Sequence, residues 1–434
     1  MERRSFLRTM GGSVGAFALT SSFDAGTLSR VEAATRSVTT QSPTSVAENE
    51  DYWREVQQAF SVSRRMINLN NGYCCPSPRI VTEKVVDYTW QQEEAPAYTL
   101  ARLLPPFREP VRQGLARVFG CDAEEVALVR NASEALETLL LGVDLESGDE
   151  VITTTQDYGR MRTTLDQRRR REGIEVKTFQ IPTPAERNED LIEGFREAMT
   201  PKTKMVLMSH QINLTGQILP VKEIAAIARE RGIPTMVDGA HSFAQFNFKL
   251  EDLGCDYFGT SLHKWLFAPK GTGMLYVKRD RIKDLWPLMP APERMDEDIR
   301  KFEEIGTHSE APYLATGEAI TFHNAIGGER KEARLRYLKD YWAKRLLELD
   351  NVRLHTSFDP EMSCAIANVE LVGTEPTAMA NYFWDKHKII VVAINHAEFR
   401  GLRITPNVYT TLDELDFFCD VFEHIAKTGL PKSA

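Results

Sequence analysis

Three short segments carry residue types that packing alone does not explain. Asp238-Gly239-Ala240-His241 follows the apolar run Pro234 to Val237, and Ser261-Leu262-His263-Lys264-Trp265 follows the run Tyr257 to Thr260. Runs of this kind read as buried parallel strands, so both sets of side chains project from strand carboxyl ends, where open α/β sheets bind ligands. An aspartate and a lysine facing one crevice match the needs of pyridoxal 5'-phosphate (PLP). The lysine carries it as a Schiff base, and the carboxylate keeps its pyridine nitrogen protonated and electron-withdrawing. The third segment, Arg130-Asn131-Ala132-Ser133, opens a helix whose free N–H groups and dipole suit a phosphate. Each segment also has a plainer reading: Asp238 as a helix cap, Lys264 as a solvated charge, Asn131 to Glu134 as a capping box. Their order along the chain carries the inference.

The elements that must position these residues are legible from hydrophobic periodicity. Seven strands are expected: Val126 to Val129, Glu150 to Thr154, Glu175 to Phe179, Lys204 to Met208, Thr235 to Val237, Tyr257 to Thr260 and Gly273 to Tyr276. Helices are expected at Glu134 to Gly142, Met161 to Arg171, Leu191 to Met199 and Val221 to Arg231, each ending near a Gly or Pro. Alternating strands and helices predict an α/β domain with a mainly parallel sheet over residues 125–322. No G-x-G-x-x-G fingerprint opens any helix, which leaves a Rossmann-type nicotinamide or flavin enzyme without support. Residues 323–434 read as a smaller α+β domain. It has a long helix from Ala325 to Leu349, strands at Val352 to Leu354, Ala365 to Leu371 and Ile389 to Ile394, and helices near Pro376 to Lys386 and Asp413 to Lys427. Residues 51–124 form an N-terminal arm and helices packed on these domains.

The 434-residue chain has 53 Lys+Arg against 62 Asp+Glu, a net charge of −9, which gives no electrostatic case for nucleic-acid binding. No apolar run is long enough to span a membrane. The six cysteines, Cys74, Cys75, Cys121, Cys255, Cys364 and Cys419, form no C-x-x-C pair and no spacing with histidine that suits a metal. Adjacent Cys74 and Cys75 read as small apolar residues of a loop. At the N-terminus, Arg3-Arg4-Ser5-Phe6-Leu7-Arg8 precedes a weakly apolar, Gly-rich stretch, the pattern of a twin-arginine signal. Residues 1–34 are expected to be that signal, cleaved near Ala33-Ala34, and residues 35–50 a flexible linker.

Taken together the segments resemble the class V aminotransferase family of PLP enzymes, in the branch with isopenicillin N epimerase-like and cysteine desulfurase-like members. The resemblance runs from about Asn68 to Lys427 through Leu69-Asn70-Asn71-Gly72, Val129 to Ala135, Ser209 to Gly216, the Asp238 and Lys264 segments, Gly271-Thr272-Gly273 and Arg403 to Tyr409. It implies PLP-dependent fold type I, with a seven-stranded, mainly parallel large domain, a small C-terminal α+β domain, and a homodimer with composite sites. Carried over, it makes Lys264 the Schiff-base lysine and Asp238, ionised, the partner of the pyridine nitrogen. Ala132, Ser133, Ser261 and His263 would take the phosphate, with Gly306 and Thr307 reaching the phosphate of the partner subunit. Asn213 and His241 would lie near the ring hydroxyl, Tyr158 over the ring, and Arg403 on the substrate carboxylate. Asn71 and His396 are further candidates for substrate contact.

Departures from the family pattern narrow the chemistry. Desulfurases of this branch carry a nucleophilic cysteine shortly before the carboxylate arginine, whereas Val391 to Glu398 contains none, and Cys364 reads as core. Their second arginine is replaced by Val392. The resulting expectation is an exported PLP enzyme acting on an amino-group substrate, epimerase- or aminotransferase-like, that tailors a peptide-derived metabolite such as a siderophore. A C–S or β-elimination lyase and a catalytically silent binding protein of the same fold are the alternatives.

Overall fold

The seven apolar runs do form one sheet in the computed structural model, which describes residues 25–431. In chain order the strands are β1 (Ile67–Asn68), β2 (Val126–Val129), β3 (Glu150–Thr154), β4 (Glu175–Phe179), β5 (Thr203–Ser209), β6 (Thr235–Asp238), β7 (Tyr257–Ser261), β8 (Gly273–Val277), β9 (Val352–Leu354), β10 (Ala367–Leu371), β11 (Ile389–Ile390), β12 (Val392–Asn395) and β13 (Arg400–Ile404). The central sheet has the order β2-β8-β7-β6-β5-β3-β4, and only β8 runs against its neighbours. Its two faces seed separate cores. Val126 and Leu128 pack on one side with Ile152, Val237 and Phe258, while Ala127 and Val129 pack on the other with Val151, Met236 and Leu275. Period-two alternation within fully buried strands is what sends neighbouring residues to opposite cores.

β6 and β7 run one residue further than their apolar runs predict. Asp238 closes the ladder of β6, opposite Ser209 and Gly259, and Ser261 closes β7, opposite Gly273. Both site residues are thus held by sheet hydrogen bonds. The sheet's parallel strands and β2 present their carboxyl ends on one side, which places the segments after β2, β3, β5, β6 and β7 around a single crevice.

The smaller domain has a four-stranded antiparallel sheet, β12-β13-β10-β9, under the helix Leu412–Thr428. Three expectations are corrected here. The predicted helix from Ala325 to Leu349 is two helices, Thr316–Ile326 and Gly328–Leu346, broken at Gly327, whose φ of 87° suits glycine. The second of them joins the domains: Leu335 lies in the large core, whereas Leu338, Trp342 and Leu346 lie in the small one. The run Ile389 to Ile394 splits into β11, which pairs with β1, and β12, which pairs with β13. β13 itself was missed by the periodicity reading.

Helices also replace the expected linker. Ala25–Ser37 is helical, Val31 is fully buried, and the Thr35 hydroxyl donates to the Ala325 carbonyl at 2.8 Å. Pro43–Ala47 and Glu50–Gln57 continue as capped helices. The site expected for cleavage, Ala33-Ala34, lies inside the first of these packed helices; Arg3 and Arg4 lie outside the described residues. No helix among those described is long and apolar enough to cross a membrane.

Candidate active site

The crevice at the strand carboxyl ends encloses a cavity of ≈ 620 Å³, and Ala132, Ser133, Tyr158, Asn213, Asp238, His241, Ser261, His263, Lys264 and Arg403 all line it. Sequence positions spread over 272 residues of chain therefore meet at one cavity.

The end expected to take the phosphate begins where β2 meets its helix. Asn131 caps the helix Ala132–Gly142, its side chain accepting from the Glu134 N–H at 2.9 Å. The Ala132 N–H, left free by helix geometry, donates to Ser261 Oγ at 2.9 Å. This meeting of two strand ends requires Gly273, because a Cβ there would lie 2.7 Å from the Asn131 backbone. His263 adds a ring 3.3 Å from the Thr272 carbonyl, and burial pushes its pKa down to about 4.

At the centre, Lys264 Nζ lies 3.1 Å from His241 Nε2. Burial lowers the Lys264 pKa to about 8, against the raising influence of Asp238, with Arg403 lowering it further. His241 is held well below its usual value by burial, then by Lys264 and Arg403, so its ring is neutral. Its buried Nδ1 has no partner. Asp238 accepts from the Ala240 N–H at 2.9 Å, and burial raises its pKa to about 6, with Asp157 adding to the rise. An ionised Asp238 therefore calls for a cation facing it, such as a protonated pyridine nitrogen.

At the far side, Arg403 projects from β13. It donates from Nη1 to the Asn213 carbonyl at 3.1 Å and from Nη2 to Asn70 Oδ1 at 2.8 Å. Its Nε is unpartnered, only 7 % of the residue is exposed, and no carboxylate among the described residues lies within ion-pair distance. Burial lowers its pKa to about 10. A guanidinium sequestered without an acid is expensive unless a ligand supplies one. Gly72 makes room for it, since a Cβ there would stand 3.3 Å from the guanidinium carbon. Val392 is its direct cross-strand neighbour, so the arginine that desulfurases carry would have set a second cation beside it.

Other expected residues stand elsewhere. Asn71 is fully buried and spends its side chain on the Asn68 and Thr405 carbonyls and the Tyr409 hydroxyl; Asn70, one residue earlier, supports Arg403 instead. His396 is outside the cavity lining. Its Nε2 lies 3.1 Å from the Thr155 carbonyl and its ring stacks on Phe399, while Glu398 accepts from Gln156 at 3.2 Å. These contacts tie the small domain to the loop that carries Tyr158. Gly306 and Thr307 are exposed and away from this chain's own cavity.

Sequence reading also missed contributors. Asp157 collects the Thr153 and Thr154 hydroxyls and the Thr154 and Ser209 N–H groups, locking the ends of β3 and β5 together. Cys74, Arg160 and Lys270 line the cavity, whereas Cys75 is buried against Asn407. The position of Cys74, two residues past the matching Leu69 to Gly72 segment, was the available signal.

The aminotransferase class-V model matches residues 76–414, most of the chain. The chain belongs to the class-V aminotransferase family. It is 31% identical to isopenicillin N epimerase of Streptomyces clavuligerus, with 87% of this chain and 98% of that protein covered. Hercynylcysteine sulfoxide lyase of Schizosaccharomyces pombe is 24% identical, with 86% and 97% covered. The fold matches an apo cysteine desulfurase structure from Thermococcus onnurineus NA1 at a TM-score of 0.76 and 22% identity, over 87% of this chain and 98% of that one. This class-V member therefore has PLP-dependent fold type I and is a PLP-dependent enzyme. Its residues fit the cofactor: Asp238 lacks a full cationic partner, His241 Nδ1 is an orphaned polar atom, and the helix start at Ala132 and Ser133 lines the cavity beside Ser261 and His263, a polar end that suits a phosphate.

Proposed function

We propose that the enzyme acts at the amino-bearing carbon of a carboxylate-containing substrate, in the manner of an epimerase or aminotransferase. The buried, acid-free Arg403 in the same cavity as Lys264 carries this reading. Arg403 offers a planar fork for bidentate binding of the α-carboxylate, held in place by Asn70 and the Asn213 carbonyl. When bound, PLP draws electron density from the bonds around the amino-bearing carbon. Asp238 would keep the pyridine nitrogen protonated. Lys264, with a pKa near the working range, takes the proton from that carbon, and the neutral His241 ring accepts a hydrogen bond from its ammonium. Delivery of a proton to the opposite face of that carbon, from solvent or a second group, would give epimerisation, whereas Lys264 carrying its proton away from that carbon without restoring it would give transamination.

Elimination of a C–S bond is the second reading, favoured by the relative named as a sulfoxide lyase and by Cys74 on the cavity wall. Persulfide transfer through Cys364 finds no support, because that thiol is fully buried and its pKa is pushed up to about 12. The proposal includes export through the twin-arginine pattern, a peptide-derived substrate such as a siderophore, and a homodimer. Exposed Gly306 and Thr307, together with exposed Trp90, Tyr98 and Phe107, support the last.

The test is Cα–H exchange in deuterated water, followed by proton magnetic resonance, for the PLP-loaded protein with L- and D-amino acids and short peptides. Washout of the Cα proton with appearance of the other enantiomer supports epimerisation, and 2-oxo acid formation supports transamination. Release of sulfide together with ammonium from a sulfur-bearing amino acid, so that the side-chain substituent is lost rather than kept in the product, would replace both with elimination.

A further inference from the structure

One buried lysine stands outside the cavity and has no part in the chemistry described so far. Lys331 lies in the first turn of the helix Gly328–Leu346 and is fully buried, and no carboxylate among the described residues lies within ion-pair distance of it. Hiding a lysine in this way is costly unless other groups take up its N–H donors. Three groups do so. The amine donates to the Trp265 carbonyl, lies 3.4 Å from His323 Nδ1, and stands 4.0 Å from the centre of the Phe267 ring. Burial pushes the Lys331 pKa down to about 7, with Cys75 and Cys364 opposing the fall. His323 is held well below its usual value by burial, then by Lys331 and Lys249, so its ring is neutral and can accept. The helix break at Gly327 creates this site: His323 and Lys331 are eight positions apart, about 12 Å of rise along one continuous helix, and two helices meeting at Gly327 bring them within reach of each other.

Trp265 and Phe267 follow Lys264 in the turn after β7. The Ala268 N–H closes that turn at its neck, donating to the Leu262 carbonyl at 3.1 Å. Inside the turn Phe267 has a φ of 65°, the left-handed region that a residue with a Cβ enters only at a cost. No backbone N–H among the described residues donates to the Trp265 carbonyl, so Lys331 supplies the donor that this buried group needs. The same amine rests against the ring of the strained Phe267 and thus spans the kink. On the other side of Lys264, the His263 carbonyl accepts from the Cys75 N–H at 3.1 Å. Lys264 therefore stands between two pinned carbonyls, one held by backbone and the other by a buried side chain.

We infer that Lys331 is a positioning residue for Lys264: by holding the Trp265 carbonyl and the Phe267 ring, it keeps the turn in the shape that aims the Lys264 amine into the cavity. The inference rests on the reading of Lys264 as the residue that carries PLP. To do so its amine must condense with the cofactor aldehyde and release water, and a misplacement of about 1 Å costs such a step roughly 10²-fold. Ala132, Ser133, Asp238 and Ser261, expected at the phosphate and the ring, lie outside this turn and should not feel the loss of Lys331.

The experiment mixes the full chain, freed of PLP, with PLP and separately with 4'-deoxypyridoxine 5'-phosphate, which carries a methyl group in place of the aldehyde and cannot react with an amine. Growth of the near-visible band gives the rate of attachment to Lys264, and equilibrium dialysis gives the affinity for the analogue. In Lys331→Met, of similar volume but without a donor, band growth at saturating PLP is expected to slow at least tenfold, while the analogue binds within twofold of wild type. Lys331→Gln, whose amide ends one bond short of the lysine amine, is expected to behave alike and serves if the first variant does not fold. Band growth at the wild-type rate in a folded variant overturns the inference. A loss of analogue affinity equal to the loss in rate also overturns it, as does failure of both variants to fold, because Lys331 then supports the core as a whole. If Lys264→Ala still develops the band, the reading of Lys264 fails, separately from the role of Lys331.

Discussion

Lys264 Nζ and His241 Nε2 lie 3.1 Å apart, although they come from the ends of different strands, β7 and β6. With a neutral imidazole as acceptor, the amine has a hydrogen-bond partner that does not compete with it for charge. Parallel pairing of β6 and β7 sets the two strand ends side by side, and the turns that follow them carry the pair, each residue standing three positions past its strand.

Replacement of the amine is the direct test of this pair. Lys264→Ala is expected to abolish the near-visible absorption band of the PLP-loaded protein and to lower turnover by roughly 10²–10⁴-fold or more, as for loss of a general base. His241→Ala should retain the band but alter the pH at which it titrates. Normal turnover in Lys264→Ala would remove this lysine from the chemistry.

Asp238 predicts a stability signature in the PLP-free protein. Burial raises its pKa from 3.8 to about 6, so within that window the folded state binds more protons than the unfolded state. Its contribution to stability is then complete below 3.8 and is lost as pH rises through about 6. Denaturant titrations of wild type and Asp238→Asn across this range should differ in slope in that sense. Parallel profiles would show that the carboxylate is not desolvated.

Arg403→Ala is expected to weaken binding of amino acids by ~2–5 kcal/mol, the range for truncating one partner of a buried charge pair. Arg403→Lys should rescue poorly, because a point charge cannot make the bidentate contact. Titration of the cofactor band with an amino acid and with the corresponding carboxylate-free amine separates the effects: only the former should change.

Gly273→Ala tests the approach of β8 to the phosphate loop. The added methyl would lie 2.7 Å from Asn131 backbone atoms, so the loop must move, and PLP affinity should fall at least about tenfold, the equivalent of 1.4 kcal/mol. Unchanged affinity measured by equilibrium dialysis would show that the Ala132 N–H is not a phosphate ligand.

A chain that begins at Thr35 should be less stable than one that begins at Ala25. The truncation removes the buried side chains of Val31 and Thr27 and the Thr27 contact with Arg79, a loss of ~1.5–3 kcal/mol from the valine alone. Thermal midpoints of the two chains settle the point, and equal midpoints would make the helix Ala25–Ser37 dispensable.

Most of the large domain was legible because its inner strands are buried on both faces and read as continuous apolar runs, with Asp238 and Ser261 at their ends and Lys264 just beyond. The helix start proposed for the phosphate was legible for a similar reason: Asn131 to Glu134 is a local capping pattern. Residues whose role depends on distant chain were not. Asn71 and Asn70 are identical by type and adjacent, and only the fold turns one to the core and the other to Arg403. His396 and Glu398 looked like site residues because they are polar and near Arg403 in sequence, yet they bind the loop after β3. The sequence by itself determined the strand-helix alternation and the residue types that suit PLP, since periodicity and capping are local. Tertiary structure decided which cations stay unpaired, because pairing depends on which carboxylates the folded chain brings near, and among the described residues none reaches Arg403, Arg160 or Lys270.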